Sequence, residues 1–284
     1  MVKVKATVHG AVSIVSAIAN KKGATLGIEL KVEVTIETSE GKGIEIQSEN
    51  RSLSSRLINK TIEKIVSKKH LEKNKMVITI NSEIPTGYGL KSSSAISSAI
   101  ALACAKIFKP KLTDKQILVA GVDASIESKV SITGAYDDAC SCYYGGFNVT
   151  DNGKRKRVDF ERVPSNLIAV IFIPKNRKRG NLKKLKILSP IFNNAWELAK
   201  GKKYWESMTI NGLATSSILN SDPKIIIDLI EKGALAASVS GNGPSIAAIV
   251  KKDNLSNVKK VFEALEGNII VSKVNNKKAE VNEL

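Results

Sequence analysis

Three short segments of the sequence carry glycines, hydroxyl groups and charges in arrangements suited to phosphate chemistry. The first reads PTGYGLKSSSA from Pro85 to Ala95 and precedes an apolar stretch, rich in alanine and serine, that extends to about Phe108. Glycines let the backbone approach a ligand closely, and the free N–H groups that begin a helix attract phosphate. Lys91 adds a cation, and the serines offer hydroxyl groups to phosphate or a metal ion. The segment predicts a phosphate-binding loop, with an ordinary turn before a serine-capped core helix as the alternative.

The second segment, residues 133–146, places two adjacent carboxylates in a stretch that we predict to be a loop flanked by glycines. Asp137 and Asp138 follow the sequence TGAY, and Glu127 lies near the end of the preceding helical pattern. A carboxylate in such a loop can act as a general base or as a metal ligand. Adjacent side chains point in different directions, so one aspartate is expected to do chemistry while the other caps a helix. Both are also common turn and N-cap residues, and this alternative stays open.

The remaining candidates are weaker. Ser240-Gly241-Asn242-Gly243-Pro244 joins two apolar runs, and it either closes over a phosphate or forms a plain β-turn. Lys5 lies in the first predicted strand, four residues before His9. Isolated charges of this kind are usually solvated, so the pattern alone gives Lys5 little weight.

Hydrophobic periodicity predicts the elements that position these segments. Alternating apolar and charged residues predict strands at 2–6 and 30–37, and a 3.6-residue period predicts a helix over 53–67. Thr113 has the sequence context of an N-cap, with Gln116 three residues later. The continuous apolar run 167–173 predicts a buried strand. Farther along the chain, helices at about 190–200, 204–219, 223–232 and 254–266 are predicted to alternate with strands at about 235–240, 245–251 and 269–273.

The polar, turn-rich residues 151–157 suggest a boundary between two domains, 1–152 and 153–284, and the mixture of elements predicts an α+β fold. A chain of 284 residues with 43% hydrophobic and 25% charged residues is long enough for a substantial core and is not disordered. Three cysteines outside any CxxC pair and two histidines exclude a zinc site of the common spacing. Sparse cysteines and an N-terminus unlike a signal peptide suggest a cytoplasmic protein. The most apolar helical stretch is too short to cross a membrane, which needs about 20 residues.

The net charge of +17 raises the possibility of a nucleic-acid-binding protein. Aromatic residues make up only 5% of the chain, and no nucleic-acid-binding motif is present. We therefore expect a small-molecule substrate and no nucleic-acid partner, and attribute the charge to a solvated surface that favours anions. The sequence does not set the oligomeric state and leaves a homodimer open.

The order and spacing of the three segments resemble the GHMP kinase superfamily, which includes galactokinase, homoserine kinase and mevalonate kinase. Its central motif, Pro-x-x-x-Gly-Leu-x-Ser-Ser, is matched by Pro85, Gly89, Leu90, Ser92 and Ser93, and its third motif by residues 240–244. Within the superfamily the closest resemblance is to the archaeal-type shikimate kinases, carried by residues 10–27, 89–95, 133–140 and 240–245.

This resemblance implies a two-domain fold, with a ribosomal S5-like N-terminal domain and a ferredoxin-like C-terminal domain. It implies ATP and Mg²⁺ as cofactors, and phosphorylation of the 3-hydroxyl of shikimate, with homoserine or another small alcohol as the alternative acceptor. The residues it assigns to Mg²⁺ are Ser93 and Glu127. The residues it assigns to ATP are Pro85, Gly87, Tyr88, Gly89, Leu90, Lys91, Ser92, Ser93, Ser94, Ala95, Gly241 and Gly243.

The resemblance also implies a catalytic aspartate and a lysine beside it. Spacing from the Gly145-Gly146 pair selects Asp138, as does spacing from Glu127, whereas alignment of the family's Asp-Asn-Ala string selects Asp137. Lys5 aligns with the lysine that accompanies the catalytic aspartate in mevalonate kinases. The carboxylate of shikimate needs a cationic partner, for which Arg177 and Arg179 are candidates.

Overall fold

The computed structural model describes residues 2–49, 53–131, 133–176 and 180–284, which form an α+β fold with two sheets. The strands are β1 (Val2–Val15), β2 (Lys22–Glu40), β3 (Gly43–Ser48), β4 (Asn74–Ser82), β5 (Phe147–Asp151), β6 (Lys156–Glu161), β7 (Leu167–Pro174), β8 (Ala236–Val239), β9 (Ile246–Lys251), β10 (Gly267–Lys273) and β11 (Glu280–Glu283). The α-helices are α1 (Ser55–Ile65), α2 (Lys68–Lys73), α3 (Ser92–Phe108), α4 (Asp114–Glu127), α5 (Tyr136–Tyr144), α6 (Ser189–Lys200), α7 (Tyr204–Ile218), α8 (Pro223–Glu231) and α9 (Leu255–Glu263).

The first sheet has the order β11-β1-β2-β4-β3, with β5 paired to β2 and β6 paired to β5. Its long β1–β2 hairpin follows from alternating side chains: Val4, Ala6 and Val8 are fully buried, whereas the residues between them are partly exposed. The strands predicted in the first eighty residues are confirmed. The sequence analysis did not identify β5, β6, β11 or the short helix α2.

Helix α3 lies at the centre of the first core, in contact with β1, β2 and helices α1, α4 and α5. Its alanines and serines are buried almost all round, which fits a helix without a solvated face. Small side chains also let α4 approach closely, since a Cβ on Gly121 would lie 3.2 Å from Ser97 Oγ. The next helix begins at the predicted capping box of Thr113 and Gln116. This packing fixes the N-terminus of α3 relative to the β1–β2 hairpin.

The second sheet is antiparallel in the order β10-β7-β9-β8. Numbered along the chain within this sheet, that order is 4-1-3-2, with helices after the first and third strands. This β-α-β-β-α-β arrangement is the predicted ferredoxin-like one. Phe172, Phe192 and Phe262 fill the core between this sheet and its helices.

The first sheet includes strands on both sides of the boundary predicted between residues 152 and 153. Asn152 lies in the turn between β5 and β6, which pair within the first sheet, and β11 pairs with β1. The chain therefore passes to the second sheet after Glu161. It returns to the first sheet with β11, after the last strand of the second sheet. No helix within the described residues is both long and apolar enough to cross a membrane.

One local prediction is wrong. The sequence pattern predicts a loop over residues 133–146, yet α5 occupies most of that range. The aspartates lie in the first turn, where the helix dipole favours negative charge. The side chains that follow, among them Cys140, Cys142 and Tyr143, are buried against the core. Asp137 and Asp138, which are also typical of turns, therefore lie at the start of a buried helix.

Candidate active site

A cavity of about 240 Å³ lies where the three predicted ligand segments meet. Its walls are the loop before α3, the end of α4 with the segment after it, the first turn of α5, the end of β1 with the turn that follows, and the loop after β8. The structure brings together most of the residues predicted to carry chemistry. The predicted residues that line the cavity are Gly87, Gly89, Lys91, Ser92, Ser93, Ser94, Asp137, Asp138 and Gly241.

Two helices begin at this cavity without a side-chain cap. The N-cap of α3 is Lys91, with φ 67°, and the N-cap of α5 is Ala135, with φ 53°; neither side chain accepts a bond from its helix. By contrast, Ser54, Thr113 and Asp222 cap α1, α4 and α8. In the first turn of α5, the Asp137 N–H donates to Asn152 Oδ1. The first N–H groups of a helix have no intrahelical partner, so α3 directs uncapped donors into the cavity. Such an arrangement suits an anion.

The basic and acidic groups of the cavity form an ion pair. Lys91 Nζ lies 2.9 Å from Asp138 Oδ1, with side chains that are 5% and 17% exposed. The same ammonium donates a 2.8 Å hydrogen bond to Ser13 Oγ. This pair joins the start of α3 to the first turn of α5 and leaves the carboxylate at the cavity surface.

Asp137 lies deeper than Asp138 and has different partners. Asn152 Nδ2 donates to Asp137 Oδ1 at 2.7 Å, and the Asp137 N–H donates to Asn152 Oδ1 at 3.0 Å. A Cβ on Gly23 would lie 2.3 Å from Asp137 Oδ2, so β2 encloses the carboxyl group closely. Burial, followed by the charge of Asp138, raises the pKa of Asp137 to about 7. Of the two aspartates, Asp138 is therefore the one whose carboxylate is ion-paired and less buried.

The loop after β8 is interlocked with the loop before α3. Ser240 Oγ donates to the Gly89 carbonyl at 2.9 Å, and Ser245 Oγ donates to the Tyr88 carbonyl. A Cβ on Gly89 would lie 1.9 Å from the Ser240 carbonyl oxygen, so only glycine permits this approach. The two glycine segments thus form one wall.

Comparison with known proteins assigns this architecture to a family. The model for "GHMP kinases N terminal domain" matches residues 56–146, and the model for "GHMP kinases C terminal" matches residues 206–268. The chain is 36% identical to the shikimate kinase of Methanosarcina acetivorans over 281 residues, covering 96% of this chain and 95% of the relative. The chain belongs to the GHMP kinase family. It is also 32% identical to the shikimate kinase of Methanothermobacter thermautotrophicus, over 97% of this chain and 98% of that one.

Solved structures of GHMP kinases share the fold at lower identity. A homoserine kinase from Cytophaga hutchinsonii superposes with a TM-score of 0.77 at 21% identity, covering 99% of this chain and 97% of that one. The mevalonate kinase of Methanococcus jannaschii superposes with a TM-score of 0.72 at 18% identity, covering 96% and 98%. These neighbours agree with the predicted two-domain architecture.

Two charged residues assigned through the family pattern lie outside the cavity of this GHMP kinase. Lys5 Nζ is 2.9 Å from Glu33 Oε1 on the neighbouring strand, in a partly exposed pair. Glu127 is exposed near the end of α4 and forms an ion pair with Lys64. The cavity lysine is Lys91 instead, and it comes from the phosphate loop. Arg177 and Arg179 lie outside the described residues.

The other predicted ligand residues support the walls. Leu90 and Ala95 are buried in the first core, and the Tyr88 carbonyl accepts the bond from Ser245. Gly243 donates its N–H to the Ser240 carbonyl within the third loop, and Pro85 is half-buried at the start of its loop. These residues shape the backbone around the ligand space.

The sequence analysis does not identify several of the cavity residues. They come from the end of β1 and the turn after it, the end of α4 and the segment after it, and the third loop. They are Ser13, Ser16, Ala17, Ile18, Ser125, Val130, Ser131, Thr133, Ala135 and Asn242. Residues 10–27 and 133–140 carry the family resemblance as whole segments, and no local pattern distinguishes their individual side chains from ordinary core or turn residues.

Replacing Gly89 should uncouple the two glycine loops. Gly89 has φ +83°, whereas Gly43 has φ +121° and open space where a Cβ would lie, with nothing within 4 Å. Both alanine variants strain the backbone, but only Gly89→Ala also displaces the Ser240 carbonyl. We expect Gly89→Ala to lower the free energy of unfolding by about 2 kcal/mol more than Gly43→Ala, as measured by urea denaturation. Equal losses in the two variants would contradict this close packing.

The buried carboxyl group of Asp137 should make stability depend on pH. Its pKa rises from 3.8 to about 7 on folding, so the folded protein binds more protons than the unfolded chain between those values. The free energy of unfolding should therefore fall as pH rises through this window and level off above it, by roughly 2 kcal/mol between pH 5 and 7.5. Asp137→Asn should remove that part of the slope in urea titrations. An unchanged slope in the variant would exclude Asp137 as its source.

Proposed function

We propose that this chain is a shikimate kinase, which transfers the γ-phosphoryl group of ATP to the 3-hydroxyl of shikimate. The similarity to archaeal shikimate kinases over 96% of the chain carries the choice of acceptor. The cavity supports phosphoryl transfer, because the uncapped N-terminus of α3 and the Lys91–Asp138 ion pair border one space. Catalysis of this reaction consists mainly of positioning and charge neutralisation.

The phosphates of ATP would bind at the start of α3. Uncapped N–H groups there would donate hydrogen bonds to the phosphate oxygens, and the glycines at 87 and 89 would let the nucleotide approach the backbone. Gly241 would contribute from the same wall, held by the contact of its loop with Gly89. Membership of the GHMP kinase family supports ATP as the phosphoryl donor in this proposal.

Asp138 would orient the acceptor hydroxyl and accept its proton as the oxygen attacks phosphorus. Lys91 would keep this carboxylate in place, and its ammonium would offset negative charge that develops on the phosphoryl group. Asp137 would hold the first turn of α5 in place through its two hydrogen bonds with Asn152, on the buried side of that turn. The roles of the two aspartates follow from their difference in burial.

The residues present fit a Mg²⁺ ion held mostly by phosphates and water. Mg²⁺ in nucleotide sites uses few protein ligands, all of them oxygen. Among the described residues no group of three or more His, Cys, Asp or Glu side chains gathers as a metal site, and Glu127 pairs with Lys64. The hydroxyl of Ser93, half-buried at the cavity, is the proposed protein ligand. When bound, Mg²⁺ would neutralise charge on the phosphoryl group.

The proposal implies two anionic small-molecule substrates and a reaction in the cytoplasm, where ATP is available. The net charge of +17 would raise the local concentration of such anions. The reaction itself needs neither a nucleic acid nor a membrane.

An acceptor panel tests the assignment directly. The purified chain is incubated with ATP, Mg²⁺ and one of shikimate, homoserine or mevalonate, and ADP release is followed in a coupled assay. We expect kcat/KM for shikimate to exceed the others by at least about 10³-fold, because buried polar groups reject poorly matched acceptors. Phosphorus NMR of the product should show a single 3-phosphate ester. Preferential phosphorylation of homoserine would refute the assignment while leaving the kinase chemistry intact.

A further inference from the structure

Ser13 is a buried residue at the junction of the three ligand segments. It lies in β1, where the pairing with β2 changes register between Ser13 and Val15, and it is 2% exposed. Such an irregularity turns side chains away from the regular alternation of a strand. Ser13 is accordingly among the residues that line the cavity.

The hydrogen bonds of Ser13 connect both glycine loops to β1. Its Oγ accepts from Lys91 Nζ at 2.8 Å and from the Gly241 N–H at 2.9 Å. Its own N–H donates to Ser240 Oγ at 3.2 Å, and Ser240 Oγ in turn donates to the Gly89 carbonyl. One serine thus fixes the cavity ammonium and the third loop together.

The same bonds determine which hydrogen-bonding capacity of the Ser13 hydroxyl remains unused. A serine hydroxyl accepts through two lone pairs and donates one proton. Lys91 and Gly241 occupy both lone pairs, and no hydrogen bond from Ser13 Oγ to an acceptor occurs within the described part of the chain. The positive charge of Lys91 repels the proton from its own side. The O–H is therefore left to point into the cavity, where it can meet a ligand oxygen.

We propose that Ser13 donates this hydrogen bond to an oxygen of the phosphoryl group during its transfer. The inference rests on the proposed phosphoryl transfer from ATP. The proton stays on the serine, and the bond strengthens as negative charge builds on the phosphoryl oxygens. Because Ser13 also holds Lys91, it positions the ammonium and supplies a second donor beside it. A bond that strengthens in the transition state raises kcat with little change in KM.

The test compares threonine and valine at position 13. These side chains have nearly the same shape and differ in the hydroxyl group, so the pair isolates hydrogen bonding from packing. We expect Ser13→Thr to keep kcat within about threefold of the wild-type value. We expect Ser13→Val to lower kcat by about 10²-fold, the usual effect of removing one preorganised donor, with KM for ATP and shikimate changed less than about threefold.

The controls separate this role from a structural one. Ser207 is fully buried outside the cavity and donates to the Ala195 carbonyl, so Ser207→Ala should lose stability in thermal unfolding and keep kcat. If valine at position 13 prevents folding, Ser13→Ala compared with the wild type replaces it. Equal kcat with and without the hydroxyl overturns the inference. Absence of phosphoryl transfer to every alcohol by the wild-type chain would instead refute the proposed function.

Discussion

Asp138→Asn lowers kcat for phosphoryl transfer by about 10²- to 10⁴-fold, the range that loss of a general base produces. The carboxylate of Asp138 is the negative charge that Lys91 pairs with at the cavity surface. Asparagine keeps the size of the side chain and an oxygen that can accept from Lys91, but it cannot take a proton from the acceptor hydroxyl. We therefore expect a loss in kcat with substrate affinity largely retained. The measurement is steady-state kinetics with saturating ATP.

Asp137→Asn is the matched control, because it makes the same chemical change at the neighbouring residue. Its oxygen can still accept from Asn152 Nδ2, and the lost carboxyl group is buried beneath the reacting surface. We expect this variant to keep kcat within about tenfold of the wild-type value. The opposite result, an active Asp138→Asn enzyme and an inactive Asp137→Asn enzyme, would transfer the catalytic role to Asp137.

The sequence predicts the fold further than it predicts the roles of individual side chains. Apolar alternation and helical periodicity reflect which side of each element is buried. These patterns locate most of the strands in both sheets and most of the helices that pack on them. Helix α5 is not predicted because the glycines that flank it and the aspartates in its first turn are also typical of turns, and only tertiary burial of Cys140 and Tyr143 favours the helix. Strand β11 escapes prediction because its pairing with β1 joins the two ends of the chain.

The site shows the same division between local and long-range information. The phosphate loop is predicted because its glycines, lysine and serines are contiguous. The Lys91–Asp138 pair joins residues 47 positions apart in sequence, and alignment to the family pattern selects Lys5 instead. In β1, Lys5 pairs in register with Thr35, and its ammonium reaches diagonally to Glu33 on the same adjacent strand, a contact set by strand register and not by any local motif. Ser13 gives no local signal, because its contacts come from loops about 80 and 230 residues away.

We expect turnover to depend on Lys91, the lysine that pairs with Asp138 at the cavity, and Lys91→Met tests this. Methionine is unbranched and similar in length, so it suits the same buried path while removing the ammonium. Loss of the Lys91 ammonium leaves the Asp138 carboxylate without its counter-charge and removes a hydrogen-bond donor from the cavity. We expect kcat/KM to fall by at least about 10²-fold.

Lys5→Met is the control for Lys91→Met, since it makes the same substitution at the lysine selected by the family pattern. That side chain forms a partly exposed ion pair with Glu33, of a kind worth at most about 1 kcal/mol. We expect kcat/KM within about twofold of the wild-type value. A severe loss in Lys5→Met beside an active Lys91→Met enzyme would restore the family assignment and remove Lys91 from the mechanism.

A double-variant cycle completes the argument about Lys91. If its ammonium acts through Asp138, then adding Lys91→Met to Asp138→Asn should cost much less activity than it costs in the wild-type background. The double variant also contains neither member of the ion pair, so its thermal stability should exceed that of Lys91→Met alone, in which a carboxylate is left unpaired. Additive losses of kcat across the four proteins would mean that the two residues act independently, despite the 2.9 Å between their charged atoms.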